Sequence, residues 1–214
     1  MKLALDICCG KGGATQAFRK DPDWHVLGID NNPKMQQYWQ EGNVEFLLFD
    51  VTVLDWEELK GILARKGFEQ VEFLWASPPC ERFSLACLQW PKSGIRKAFE
   101  IVGACLEAIA ILKPKRWVLE NPRARLRWFL GVPPKTIRYS DYDLHYKAEK
   151  VTDLWGNTPL PMVKGERRIK RAKIRDHLKR LHSWEHVYPH DKAERAMVPL
   201  GVSEAVKTAT EAQS

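Results

Sequence analysis

No apolar run in the sequence approaches the length of a bilayer span, and Met1-Lys2 leads directly into a strand-like pattern with no charged-then-apolar leader. A membrane span and a secretory signal are therefore not expected, and the chain reads as a soluble, cytoplasmic protein. It also lacks any Cys-x-x-Cys pair. The five cysteines Cys8, Cys9, Cys80, Cys87 and Cys105 form an odd set, which argues against a disulfide framework and against a zinc site. His177, His182, His186 and His190 have no cysteine or acid set beside them at ligand spacing, so they read as surface or packing residues and no metal is expected. Internal repeats and low-complexity tracts are missing as well. What is present is a chain of 214 residues with 44% hydrophobic content, enough for one well-packed domain and a small appendage.

The formal net charge is +7, and one segment accounts for it. Residues 164–182 carry nine lysines and arginines, Lys170 and Arg171 among them, against Glu166 and Asp176, so the excess of this stretch equals that of the whole molecule. Such a local basic surface suits a polyanion, nucleic acid above all, although a solvated helix face has the same composition. Ile174, Leu178 and Leu181 fall on one helical face there, leaving the cations on the rest.

The stretch Leu74-Trp75-Ala76-Ser77-Pro78-Pro79-Cys80 is the most informative one. Residues 71–76 read as a buried strand, and two prolines then end ladder pairing and force a stiff turn with a cysteine at its tip. In open α/β sheets reactive groups lie just past the carboxyl ends of strands, so Cys80 is a candidate nucleophile, with Arg82 nearby to lower its pKa. A buried structural cysteine is the competing reading.

Upstream, residues 3–8 form an expected strand followed by a glycine-rich turn, Cys9-Gly10-Lys11-Gly12-Gly13, that opens a helix through Phe18. Glycines let a ligand approach the backbone, and a helix start offers free N–H groups to it. A second strand ends at Asp30, twenty residues after Gly10, where an acid can accept both hydroxyls of a ribose. Thr15 occupies the place of the third glycine of the dinucleotide fingerprint, which weakens an assignment to NAD. A helix is expected from Pro33, then a strand over 44–49 ending at Asp50. That acid reads either as a hydrogen-bond acceptor for an adenine amino group or as a helix N-cap. A helix follows over 55–66. Beyond Cys80, residues 81–94 form a loop long enough to close over a substrate. Ala98, Val102, Cys105, Ile109 and Leu112 mark one face of a helix that Pro114 ends, and a strand over 117–119 carries Glu120-Asn121-Pro122 at its carboxyl end.

Taken together, the blocks Asp6-Ile7-Cys8-Cys9-Gly10-Lys11-Gly12-Gly13, Gly28-Ile29-Asp30, Asp50, Ser77-Pro78-Pro79-Cys80 with Phe83-Ser84, and Glu120-Asn121-Pro122 resemble the cytosine-5 DNA methyltransferases in order and spacing. The resemblance implies an α/β fold, a doubly wound, mostly parallel, Rossmann-like sheet, with a small basic helical appendage. It implies S-adenosyl-L-methionine as cofactor, held by Asp6, Cys9, Gly10, Gly12, Gly13, Asp30, Asp50 and Pro79. It also implies Cys80 as nucleophile, Glu120 as the acid at the ring, and a flipped cytosine of DNA, duplex by expectation, as substrate. Ser84, Asn121, Arg123, Lys147, Lys150, Lys170 and Arg171 are the candidate substrate contacts. The family's glutamine and paired arginines have no counterpart in 141–150, where Lys147 or Lys150 stand in; Arg123, Arg125 and Arg127 are further candidates for that role. Pro122 replaces the usual valine. Thr152-Asp153-Leu154-Trp155-Gly156-Asn157 is similar to a block of the short, phage-associated branch, which points to a bacterial or phage-infected cell. The expected layout is a catalytic domain over 1–156, a small basic DNA-contacting region over 157–194 and a C-terminal helix over 195–214, starting near 193, that packs back on the first. Two other readings stay open: a related enzyme acting on RNA or single-stranded DNA, or with a modified cofactor, and a non-catalytic DNA-binding protein that keeps the cofactor fold.

Overall fold

The computed structural model describes residues 1–83, 94–143, 150–160 and 197–212. Ser84, Cys87, Lys147, Lys170, Arg171, the four histidines named above and the whole basic segment 164–182 lie outside the described residues.

Seven strands form one sheet in the order β3-β2-β1-β4-β5-β7-β6. The strands are β1 (Lys2–Ile7), β2 (Trp24–Asp30), β3 (Val44–Leu48), β4 (Val71–Ala76), β5 (Arg116–Pro122), β6 (Lys135–Arg138) and β7 (Val151–Gly156). The first five pair in parallel, whereas β7 runs antiparallel to both β5 and β6. The helices are α1 (Gln16–Arg19), α2 (Trp56–Arg65), α3 (Ile95–Leu112), α4 (Arg127–Leu130), α5 (Tyr139–Tyr142) and α6 (Leu200–Glu211). The sheet is thus doubly wound and mostly parallel, as the order of sequence blocks implied. Among the described residues no helix is long and apolar enough to cross a membrane.

Alternation along the strands sorts the core into two layers. Leu3, Leu5 and Ile7 join Leu27, Ile29, Leu74 and Leu119 under the apolar faces of α2 and α3. Ala4, Val26, Phe73, Trp75 and Val118 pack on the other side with Phe18, Trp39, Val202 and Val206. In α3 the buried stripe is Ala98, Val102, Cys105 and Leu112, with Ala104 and Ala108 added. Lys113 ends the helix in a left-handed conformation immediately before Pro114, which cannot continue it. The returning C-terminal segment closes the second layer: Ser203 accepts from the Ala17 amide at 3.0 Å, and Trp24 Nε1 donates to Glu211 at 3.0 Å.

Two expectations are corrected. Residues Pro33–Tyr38 form a 3-10 helix, not an α-helix, capped by Asn32, and none of its residues is buried, so no apolar face extends it. The last helix starts at Leu200 after Pro199, and residues 193–196 lie outside the described residues. The Glu120-Asn121-Pro122 block forms the carboxyl end of β5, where it was expected, and the strand runs on through it. β4 pairs with β5 only as far as Ala76 opposite Leu119, while antiparallel β7 continues alongside through Pro122 opposite Thr152. Pro122 is tolerated because β4 has already ended on its other side.

The order places β1 between β2 and β4, so the chain switches direction of progression at the β1/β4 boundary, where such sheets bind ligands. Both the glycine turn after β1 and the Cys80 turn after β4 open onto that crevice.

Candidate active site

β1 ends in a turn whose backbone is unusual. Cys8, Gly10 and Gly12 have φ values of 56°, 51° and 76°. At Gly12 a Cβ would lie 2.6 Å from Arg19 Nη1 and 2.9 Å from the Trp39 ring, so no side chain fits. At Gly10, by contrast, nothing lies within 4 Å of a Cβ position, and the backbone faces open space. The turn is held from several sides. Gly10 N–H donates to Asp30 Oδ2 at 2.9 Å, Asn32 N–H donates to Oδ1 of the same carboxylate at 2.9 Å, and Trp39 Nε1 donates to the Gly10 carbonyl at 2.9 Å. The Arg19 guanidinium covers the Trp39 ring at 4.7 Å. Asp30 therefore stands at the end of β2 beside Gly10, the place its spacing implied. Trp39 and Arg19 carried no signal in the sequence, because the contact joins residues 29 positions apart through a turn of irregular structure.

Other residues of this group lie beneath the turn. Asp6 is buried and accepts from the Thr15 hydroxyl at 2.7 Å, while its Oδ1 has no hydrogen-bond partner. Burial pushes its pKa up to about 8, against the pull of Thr15 and Arg19 and with a small push from Asp30. The folded state thus binds this proton more tightly than the unfolded chain. The stabilisation is complete below the ordinary carboxylate range near 3.8 and is lost as pH rises toward about 8. Asp6→Asn, neutral at every pH, is expected to flatten the fall in stability between pH 5 and about 8. Urea unfolding at a series of pH values measures it, and an equally steep fall in the variant would contradict the assignment. Cys9 is buried too, its thiol pushed far up by desolvation. Gly13 is pressed against the C-terminal segment, with a Cβ position 2.6 Å from the Val198 carbonyl. Asp50 acts as an N-cap, accepting from Thr52 N–H at 3.0 Å and from its hydroxyl at 2.8 Å, which lowers its pKa. Of its two sequence readings the structure displays the cap. Pro79 is exposed beside Cys80.

Across the crevice, the parallel ladder brings the ends of β4 and β5 side by side. Asn121 Nδ2 donates to the Pro78 carbonyl at 3.0 Å, and Ser77 Oγ donates to Glu120 Oε2 at 3.3 Å. Asn121 is fully buried, so it fixes the Cys80 turn and does not present itself to a substrate. Glu120, 4% exposed, is the convergence point. Tyr139 OH donates to Oε1 at 3.1 Å, Thr152 Oγ1 donates to the same oxygen, and Lys150 Nζ lies 3.7 Å from it and 4.7 Å from the Tyr139 ring centroid. Trp75 Nε1 donates to Ser77 Oγ at 2.6 Å and orients that hydroxyl.

Cys80 is half-buried. Desolvation and then the Glu120 carboxylate raise its thiol pKa above the usual range, and Lys150 pulls it down. Proximity in sequence favours Arg82 for that task, but the Arg82 guanidinium lies beside Gly94 at the start of α3. The cation that acts on Cys80 comes from the edge of β7, remote in sequence and near in space. Arg123 is exposed just past β5.

Arg127 is not available to a substrate. Its guanidinium grips Asp153 through two hydrogen bonds, the Nη2 to Oδ1 contact being 2.6 Å, and Nη2 also donates to Thr136 at 2.8 Å. Asp153 is fully buried, so Arg127→Met leaves a buried carboxylate without its partner and is expected to cost about 3 kcal/mol. The urea midpoint reports it. A loss below about 0.5 kcal/mol would mean that solvent screens the pair.

Cys8, Cys9, Cys80 and Cys105 are free thiols. Among the described residues no group of three or more His, Cys, Asp or Glu side chains is placed to hold a metal.

A protein of Frog virus 3 (isolate Goorha) named "Probable DNA (cytosine-5)-methyltransferase" is 28% identical over 127 residues, which are 52% of this chain and 58% of that protein. A crystal structure described as a DNA modification methyltransferase encoded within an E. coli prophage superposes with a TM-score of 0.54 at 15% identity, covering 73% of this chain and 46% of the other, and shares its fold. The chain thus spans about half the length of the proteins it matches. The family model for C-5 cytosine-specific DNA methylases matches residues 3–126, a span that takes in the glycine turn, Asp30, Cys80 and Glu120. With more than half of its length matched, the chain belongs to the C-5 cytosine-specific DNA methylase family.

Proposed function

We propose that the protein transfers a methyl group from S-adenosylmethionine to carbon 5 of a cytosine in duplex DNA. The observation that carries this reading is the convergence of a thiol and a carboxylate from adjacent strand ends, Cys80 and Glu120, on the crevice that also receives the glycine turn.

The residues after β1 and β2 fit the cofactor. Open space over Gly10 admits a ligand against the backbone, and the Asp30 carboxylate beside it suits a pair of ribose hydroxyls. Asp50 at the end of β3 and Pro79 in the nucleophile turn complete the rim, with Asp6, Cys9, Gly12 and Gly13 supporting it from within. S-adenosylmethionine, when bound, supplies a methyl group on a positively charged sulfur.

The chain's own part is to make a poor nucleophile reactive. Cytosine carbon 5 gains electron density when the Cys80 thiolate adds to carbon 6. Desolvation and the Glu120 carboxylate raise the Cys80 thiol pKa, and Lys150, already beside Glu120, opposes them and favours the thiolate that attacks. Glu120 meets the Watson–Crick edge of the ring and holds a proton there as charge develops. Three hydroxyl donors fix the orientation of its carboxyl group. Loss of the carbon 5 proton then expels the thiolate and restores the ring. Because that face is hidden in the duplex, the cytosine has to leave the stack, at about a few kcal/mol.

A duplex carrying 5-fluorocytosine tests the covalent step, because fluorine cannot be lost as the proton is. The expected result is a protein–DNA adduct whose mass localises to the Cys80 peptide. An intact, methylated duplex with no adduct would mean that methyl transfer proceeds without the thiol.

A further inference from the structure

We propose that Trp128, with its neighbour Phe129, is a stacking contact to duplex DNA beside the target cytosine; this rests on the reading given under Proposed function and extends it to a surface outside the catalytic pair. The segment begins directly after Pro122. It is tied to the nucleophile turn, since Arg125 N–H donates to the Phe83 carbonyl at 3.1 Å and Phe83 N–H donates to the Cys80 carbonyl at 3.0 Å. Rings continue the connection: Phe83 meets Phe99 edge-on at 5.2 Å, and Phe99 meets Phe129 at 4.4 Å. Backbone hydrogen bonds and a chain of rings thus join this segment to the Cys80 turn.

Its outer side is apolar and uncovered. Trp128 is 74% exposed, Phe129 59% and Val132 83%, an unusual concentration of large apolar surface within five residues. The backbone beneath is firm. Leu126 is fully buried, Trp128 N–H donates to the Arg125 carbonyl at 2.9 Å, and both Phe129 and Leu130 donate to Leu126 at 3.0 Å. Gly131 with φ 80° and then Pro133-Pro134 end the turn stiffly. An indole presented on such a turn loses little entropy on binding.

Charge selects the occupant. Residues 121–138 contain Arg123, Arg125, Arg127, Lys135 and Arg138 and not one acid. Arg127 is engaged by Asp153, whereas Arg123 and Arg138 are exposed. An exposed aromatic surface within a stretch of cations fits bases flanked by phosphates, with the rings taking base faces and the guanidinium groups taking the backbone. Extruding a cytosine strips its neighbours of a stacking partner, and an aromatic face beside the catalytic turn replaces part of it.

The test uses the full chain with Cys80→Ala, so that binding is read without chemistry, and fluorescence anisotropy on a labelled duplex over a range of salt. Trp128→Ala is expected to weaken binding about tenfold at every salt concentration without changing the slope of log Kd against log salt. Trp128→Phe is expected to restore most of the affinity. Arg123→Ala is expected to flatten the slope by about one phosphate contact. The Trp128 side chain is exposed, and an unchanged thermal melt verifies that its variants fold. Duplex affinity within twofold of the Cys80→Ala parent overturns the proposal. So does a Trp128→Ala effect confined to RNA, or one confined to self-association in sedimentation. If the Cys80→Ala parent binds no duplex, the assignment of DNA as substrate fails, an outcome distinct from a normal parent with a silent Trp128.

Discussion

Cys80→Ala is expected to reduce methyl transfer to background while leaving affinity for S-adenosylmethionine nearly unchanged. The reason is chemical as much as positional. Carbon 5 of cytosine does not attack a methyl group unaided, and Cys80 is the proposed nucleophile at the tip of the β4 turn, where the end of β5 delivers Glu120. Serine is no substitute, because a hydroxyl at that place is far harder to ionise than a thiol already raised by desolvation and by the Glu120 charge. The residues proposed to hold the cofactor lie after β1 and β2, across the crevice, so removing one sulfur atom leaves them in place. Initial rates at saturating cofactor, together with calorimetric titration of the cofactor, separate the two quantities. Retained turnover would remove the nucleophile assignment, and lost cofactor binding would mean that the turn supports the other side of the crevice.

Glu120→Gln is expected to cut turnover by about 10²-fold or more. The carboxyl group receives hydroxyls from Ser77, Tyr139 and Thr152 and lies 3.7 Å from Lys150. Glutamine keeps the length but brings an amide N–H₂ toward donors that expect an acceptor, and it cannot exchange a proton with the ring. Tyr139→Phe, which deletes one donor and keeps the charge, separates positioning from proton chemistry. It should lose less than Glu120→Gln, and its pH–rate profile should keep the wild-type shape. A Glu120→Gln rate within twofold of wild type would reject the role of the acid.

The parallel half of the sheet was readable because its signals are local. Nearly continuous apolar runs mark β1 and β4, a glycine turn follows the first, a Pro-Pro turn follows the second, and the acid that ends β2 falls twenty residues beyond Gly10. The catalytic surroundings were less legible, since they depend on pairings between distant segments. β7 slots between β5 and β6, and this alone carries Lys150 and Thr152 to Glu120. Sequence proximity favoured Arg82 as partner of Cys80, whereas three-dimensional proximity selects Lys150. Asp50 remained ambiguous for a different reason: an acid at a strand end caps a following turn as readily as it meets a ligand, and only the contacts to Thr52 show the first. Arg127 looked like one of several interchangeable arginines until Asp153 appeared opposite it, buried by a strand whose register the sequence does not reveal.

Methylation of cytosine carbon 5 through Cys80 and Glu120 is tested by transfer of labelled methyl from S-adenosylmethionine to unmethylated duplex DNA, followed by digestion and identification of the labelled nucleoside, with Cys80→Ala run in parallel. Label in 5-methylcytosine that disappears with Cys80→Ala is the expected result. Label on an adenine or on an exocyclic nitrogen, or 5-methylcytosine formed undiminished by the variant, would contradict the account.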